Sequence, residues 1–263
     1  KVYGGTSAGP TTLLSTVSAG TETYTHIWLT NGTTYYYRIS AVNDSGNESD
    51  PTSDVSATPV LQGPFYISPD GNEFASGAEF DPFGSMLAAV ERSESGDTIY
   101  VMPGTYSGDF NQAIYLPNYH DLTIIGTGSV DETIFELTDI FIQFHGAPGT
   151  VKNITFTGST NNSSAITINY VSDWAGNELT LDNCKFLDIQ GKSVRVSNYN
   201  TANISDCVFA GNTSNPNSSP YGSSVYMNNN TQLDLSGCLF YNNQDVNNNS
   251  QHYGTIWSGN TSY

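Results

Sequence analysis

The residues best suited to chemistry cluster in short blocks in the second half of the chain. Lys192 and Arg195 stand three positions apart in a sequence poor in bases. Aligned blocks put Arg195, Tyr226 and Trp257 in one column: Ser193–Val196 (SVRV), Ser224–Met227 (SVYM) and Gly254–Trp257 (GTIW). Each column residue lies next to apolar positions, so all three point out of the strand on which they sit. Exposed rings stack on sugar rings, and a guanidinium holds a carboxylate or sulfate through paired hydrogen bonds. Arg195, Tyr226 and Trp257 are therefore candidate substrate-binding residues. The plainer alternative is that the long turns 212–222 and 244–253 cover these rings. Asp70-Gly71-Asn72-Glu73 puts oxygen ligands into a turn, which makes Asp70 and Asn72 candidate Ca2+ ligands without the spacing of a helix-flanked calcium loop. His120, His145 and His252 are scattered and read as structural.

The elements that must position these residues are written four times between Gly149 and Tyr263. Gly149–Phe156 (GTVKNITF), Leu179–Phe186 (LTLDNCKF), Ala202–Phe209 (ANISDCVF) and Leu233–Phe240 (LDLSGCLF) align in four columns. Column two is Val151, Leu181, Ile204 and Leu235, and it extends backwards to Ile124 and Val101. Column three is Ile154, Cys184, Cys207 and Cys238; column four is Phe156, Phe186, Phe209 and Phe240. Apolar residues two apart face one side of a strand. The polar pairs between columns two and three, such as Asp182-Asn183 and Ser205-Asp206, turn the chain. Each copy holds three short strands that cannot bury their apolar face alone, so the copies must stack. Unequal spacing with a constant inner pattern means that insertions fall in turns. Together these features predict a parallel β-helix. Asn212 and Asn243 stand five past column three in successive copies and are expected to stack as an amide ladder.

Charge narrows the function. The 263 residues carry 25 acidic and 7 basic side chains, a net charge of −18. Such a surface repels phosphates, which argues against nucleic acid and against anionic membranes as partners. The sequence contains no apolar run long enough to insert in a membrane. The three cysteines share one inward column without metal-type spacing, and read as buried free thiols.

Residues 1–59 read as a separate unit. Asn31-Gly32 marks a turn, after which Tyr35, Tyr37, Ile39 and Ala41 alternate along a strand. The stretch Leu29–Asn43 resembles the fibronectin type III family. The resemblance implies a β-sandwich lacking its first strands, with Tyr35 tied back to nearby backbone by its hydroxyl. Residues 60–64 form a linker. Residues 65–263 resemble the pectin-lyase-like β-helix superfamily, carried above all by Gly96–Tyr106 (GDTIYVMPGTY). The resemblance implies a right-handed helix with an amino-terminal cap at 65–97 and rungs at 98–263, the last of them incomplete. Within the cap, Asp81-Pro82 is expected to open a short α-helix with Phe83, Met86, Leu87 and Val90 on its apolar face.

That superfamily contains polysaccharide lyases that use a Lys or Arg base beside carboxylate-bound Ca2+, and hydrolases that use paired Asp residues. The matching candidates are Arg195 or Lys192 as base, with Asp182 and Asp206; solvated surface charge is the alternative for all four. Three functions remain open. The leading one is an extracellular or cell-surface module that engages polysaccharide or surface glycan without clear catalytic apparatus. The others are a polysaccharide lyase or glycoside hydrolase, and a passive stalk or adhesin segment. Fibronectin-like and β-helix modules joined together resemble large secreted or surface-anchored bacterial proteins.

Overall fold

Alternating apolar residues in short segments, separated by Asn, Asp and Gly, form strands here and almost nothing else. The computed structural model describes residues 1–26, 29, 32–59, 63–169, 176–214, 224–228, 230–244 and 255–259. Two units divide the chain, Lys1–Leu61 and Gln62–Tyr263.

The first unit is a four-stranded antiparallel sheet. Its order is Leu13–Ser15, Val2–Gly5, Tyr35–Ile39, Val55–Ala57. Gly4 pairs with Tyr37 and lies against Leu14; a Cβ at this position would come within 2.5 Å of the Leu14 side chain. Arg38 pairs with Asp54 across the edge of the unit. Asn31 of the expected turn lies outside the described residues.

The second unit is a parallel β-solenoid built from two sheets. One has seven parallel strands, running from Phe65–Ile67 through Thr98–Val101, Leu122–Gly126, Gly149–Lys152, Glu178–Asp182 and Thr201–Ser205 to Gln232–Ser236. The other has ten strands. Two of these, Thr155–Asn169 and Lys185–Ser197, are long and carry column four at one end and the outward-facing column of Arg195 at the other. The second and third strands expected of each copy are thus joined in these two rungs.

The columns stack in the expected register from Gly149 onward. Val151 pairs with Leu181, Leu181 with Ile204, and Ile204 with Leu235. Further back the register differs: Ile124 pairs with Ile99, not Val101. The slip is two residues, one full strand period, so the same face stays buried and the apolar pattern could not distinguish the two.

The turn between the sheets has a chemical cause. Asn153, Asn183, Asp206 and Gly237 occupy one position in successive rungs, with φ of 56°, 49°, 52° and 62°. Asn, Asp and Gly are the residues that enter this left-handed region most easily. Asn183 also donates from Nδ2 to Oδ1 of Asn153 at 3.0 Å, tying one rung to the next.

Inside, column four forms an aromatic stack. Phe156–Phe186, Phe186–Phe209 and Phe209–Phe240 have centroids 5.2, 4.9 and 4.7 Å apart. Phe135 and Tyr106 extend it backwards, with centroids 4.8 Å apart. Cys184 and Cys207 are buried and free; Cys238 is half-buried and free. A side-chain hydrogen bond with the Cys184 thiol, and then burial, push the Cys207 thiol up.

The amide ladder is present. Asn212 accepts from the Ile189 N–H at 2.9 Å and donates to Phe186 O at 3.0 Å. Asn243 accepts from the Asn212 N–H at 3.0 Å and donates to Phe209 O at 2.9 Å. Each side chain thereby joins its own rung to the preceding one.

The cap helix is shorter than expected and starts later. It spans Met86–Val90 with Ser85 as N-cap, whose Oγ accepts from Ala88 N. Phe83 instead bridges Ile67 at the sheet edge, with Phe83 N donating to Tyr66 O at 2.9 Å. Asp81 accepts from Ser76 N. Sheet pairing holds residues 81–83 extended, which delays the helix past the Asp-Pro signal. Met86, Ala88, Ala89 and Val90 are buried, whereas Leu87 is only half-buried.

Candidate functional site

Parallel stacking turns a sequence column into a spatial one. On the outer face of the ten-stranded sheet, Tyr115 pairs with Gln143, Gln143 with Thr167, Thr167 with Arg195, Arg195 with Tyr226, and Tyr226 with Trp257. Each step is one strand spacing, about 4.8 Å. The register of Arg195, Tyr226 and Trp257 is therefore as read from the sequence. The side chain of Trp257 and the turns 215–223 and 245–254 lie outside the described residues.

The exposure of Tyr226 differs from the expectation. Tyr226 is buried, 9% exposed, and does not form an open platform. Two cations lie over it: Lys192 Nζ is 5.6 Å from its centroid and Arg195 Cζ is also 5.6 Å away. A ring face attracts cations, which helps hold both in place. Arg195 Nε donates to Ser197 Oγ at 3.0 Å, fixing the guanidinium along the strand.

The surroundings of the two cations set them apart. Among the described residues, Lys152 pairs with Asp182 at 3.3 Å, Lys185 with Asp131, Arg38 with Asp54 and Lys1 with Glu48. Arg92 donates to two backbone carbonyls. Lys192 and Arg195 have no carboxylate partner among the described residues. Burial lowers the pKa of Lys192 below the ordinary lysine value, and the charge of Arg195 lowers it further. Two like charges are thus held side by side, partly shielded from water, in a chain where acids outnumber bases 25 to 7.

The candidate carboxylates lie elsewhere. Asp182 ends a strand of the seven-stranded sheet, where it pairs with Lys152 and accepts from Ser205 Oγ at 2.9 Å. Asp206 occupies the left-handed turn position of the next rung. Arg195 lies near the far end of its strand, beyond the turn and past Lys185. The structure therefore joins Lys192, Arg195 and Tyr226, and leaves Asp182 and Asp206 at a different corner of the rung.

The turn that carries the Ca2+ candidates Asp70 and Asn72 uses part of its oxygen set internally. Asn72 spends Oδ1 on the Phe74 N–H at 2.8 Å, and Glu73 accepts from Ser85 Oγ. Among the described residues, no three His, Cys, Asp or Glu side chains converge on a metal position.

Sequence reasoning passed over the partners of Arg195 further along the column. Gln143 donates to Nε2 of His145 on the same strand face, and burial holds His145 below the ordinary histidine value. Tyr115 is 61% exposed. Its signal was its place in the column; the step back to it crosses two rungs whose blocks lack the repeat's motif. Among the described residues, no helix is long and apolar enough to cross a membrane.

Known proteins resemble this chain as follows. The family model described as Protein of unknown function (DUF1565) matches residues 69–261. The pectate lyase PEL9 of Emericella nidulans is 32% identical over 97 residues, covering 36% of this chain and 22% of that protein. A solved structure, a rhamnogalacturonan lyase, covers 72% of this chain and 60% of its own, at 16% identity and a TM-score of 0.45. The chain thus spans less than two thirds of each of these relatives.

Proposed function

The chain belongs to the DUF1565 family of right-handed, pectin-lyase-like β-helices, and on that premise we propose that its solenoid binds an acidic polysaccharide through Lys192 and Arg195. One observation carries the reading: two adjacent cations lie over the Tyr226 ring without a carboxylate partner among the described residues. Holding like charges together while partly removing their water is unfavourable, and an arriving anion relieves both costs. A uronate or sulfate group supplies such an anion, with Arg195 offering paired donors and Lys192 a point charge. Similarity to a pectate lyase over 97 residues supports a uronate in particular. An extracellular setting, where such polymers occur, belongs to the same proposal.

Affinity electrophoresis of the whole chain through gels cast with neutral, uronic or sulfated polymers tests it. Retardation by a charged polymer, lost in Arg195→Ala, supports the proposal. Equal mobility in all gels overturns it.

A second reading is favoured by the lowered pKa of Lys192. A lysine with a lowered pKa gives up its proton more readily, and its neutral amine can act as a base toward the proton on the carbon next to a uronate carboxylate. The electron pair of that C–H bond would form a C=C bond as the glycosidic C–O bond breaks. The departing oxygen would take a proton from water, and Arg195 would hold the carboxylate as its charge grows. Appearance of ultraviolet absorbance from the conjugated product, abolished by Lys192→Met, would establish elimination. Binding without such absorbance would leave the site a binding module.

A further inference from the structure

We propose that Tyr115 forms a second subsite on the same face, one that stacks on a sugar ring of the polymer whose acidic unit rests on Lys192 and Arg195. The inference depends on the binding reading above and adds the direction and minimum length of the ligand.

Register carries the argument. Tyr115, Gln143, Thr167 and Arg195 pair in sequence on four neighbouring strands. Tyr115 is therefore three strand spacings from Arg195, about 14 Å along the solenoid axis. Between them lie the hydrogen-bonded Gln143–His145 pair, half-buried, and Thr167, which is small, polar and closed off by its neighbours. Tyr115 ends this stretch with an apolar ring 61% exposed. Its apolar neighbours Ile114 and Leu116 point inward and are buried, so the Tyr115 ring is held on the outside. An exposed ring at one end of a polar column and paired cations at the other suit a linear ligand with an apolar sugar face and a separate acidic group. A short ligand reaches one end only. An oligomer of about four units reaches both.

Calorimetric titration with α-linked oligogalacturonates of increasing length tests this, using the whole chain, Tyr115→Ala, Tyr115→Phe and Arg195→Ala. In the parent, affinity is expected to step up between about two and four or five units. Tyr115→Ala should remove that step, lowering affinity for the long oligomers about tenfold while leaving the dimer unchanged. Tyr115→Phe should keep the step, since the ring face remains. Equal affinity of parent and Tyr115→Ala at every length overturns the subsite but leaves the cation site standing, provided Arg195→Ala still weakens every oligomer. Absence of binding at any length, with Arg195→Ala indistinguishable from the parent, overturns the binding reading and the subsite with it.

Discussion

The ammonium of Lys192 and the guanidinium of Arg195 share one ring, that of Tyr226, each 5.6 Å from its centroid. The relationship makes anion binding depend on pH. Burial lowers the pKa of Lys192 from 10.5, with Arg195 as the second cause. Between the lowered value and 10.5 the unfolded chain binds one more proton than the folded chain, so stability rises with pH across that window. Anion affinity runs the other way. It should fall as pH rises through the lowered value, because the neutral amine no longer attracts the anion. Lys192→Arg should flatten this decline. Polyuronate affinity measured from neutral pH to 10.5 checks it; an identical decline in Lys192→Arg would remove Lys192 from the account.

Asn212 tests the ladder that holds the rungs in line. Its side chain is fully buried and serves Ile189 N and Phe186 O. Asn212→Ala leaves two backbone groups unpaired in the interior, at a cost of about 3 kcal/mol. Asn243→Ala, at a half-buried position, should cost less. Denaturant midpoints at constant slope read both.

The aromatic stack should show the same gradient. Phe186 has a stacked ring on either side, whereas Phe240 is half-buried. Phe186→Ala should destabilise by about 3–5 kcal/mol and Phe240→Ala by clearly less. Equal losses would mean that stacking within the column is not what stabilises it.

Cysteine reactivity follows burial. Cys238 is half-buried, while Cys184 and Cys207 are closed off and the Cys207 thiol is pushed up by Cys184 and by burial. A thiolate is the reactive form, so an alkylating reagent should label Cys238 first in the native protein. Mass spectrometry after timed labelling shows the order. Rapid labelling of Cys207 would contradict the buried column.

The fold was legible because its columns carry redundant signals. Val151, Leu181, Ile204 and Leu235 repeat a two-residue alternation, and the turn residue next to each is one that tolerates positive φ. Where only one signal is present, the residues leave the register or element start undetermined. Ile99 and Val101 share a face, so alternation alone could not choose between them. Asp81-Pro82 has the chemistry of a helix start, but the pairing of Phe83 with Ile67 overrode it. The outward column of the site was legible for the same reason as the inward ones. Exposure of Tyr226 was not, because burial of an outward residue depends on its neighbours in space, Lys192 and Arg195 among them. Phe135 and Tyr106 were missed as members of the aromatic stack because their rungs lack the repeated block that marks column four.

The most direct test of the cation site compares two double variants by affinity electrophoresis on a polyuronate. Lys192→Ala with Arg195→Ala removes the cations over Tyr226. Lys152→Ala with Lys185→Ala removes two cations already paired with Asp182 and Asp131, and changes the net charge equally. The account expects retardation to vanish in the first variant and persist in the second. Equal retardation in both, or equal loss in both, would show that binding depends on overall charge or on another surface, and would contradict a site at Lys192 and Arg195.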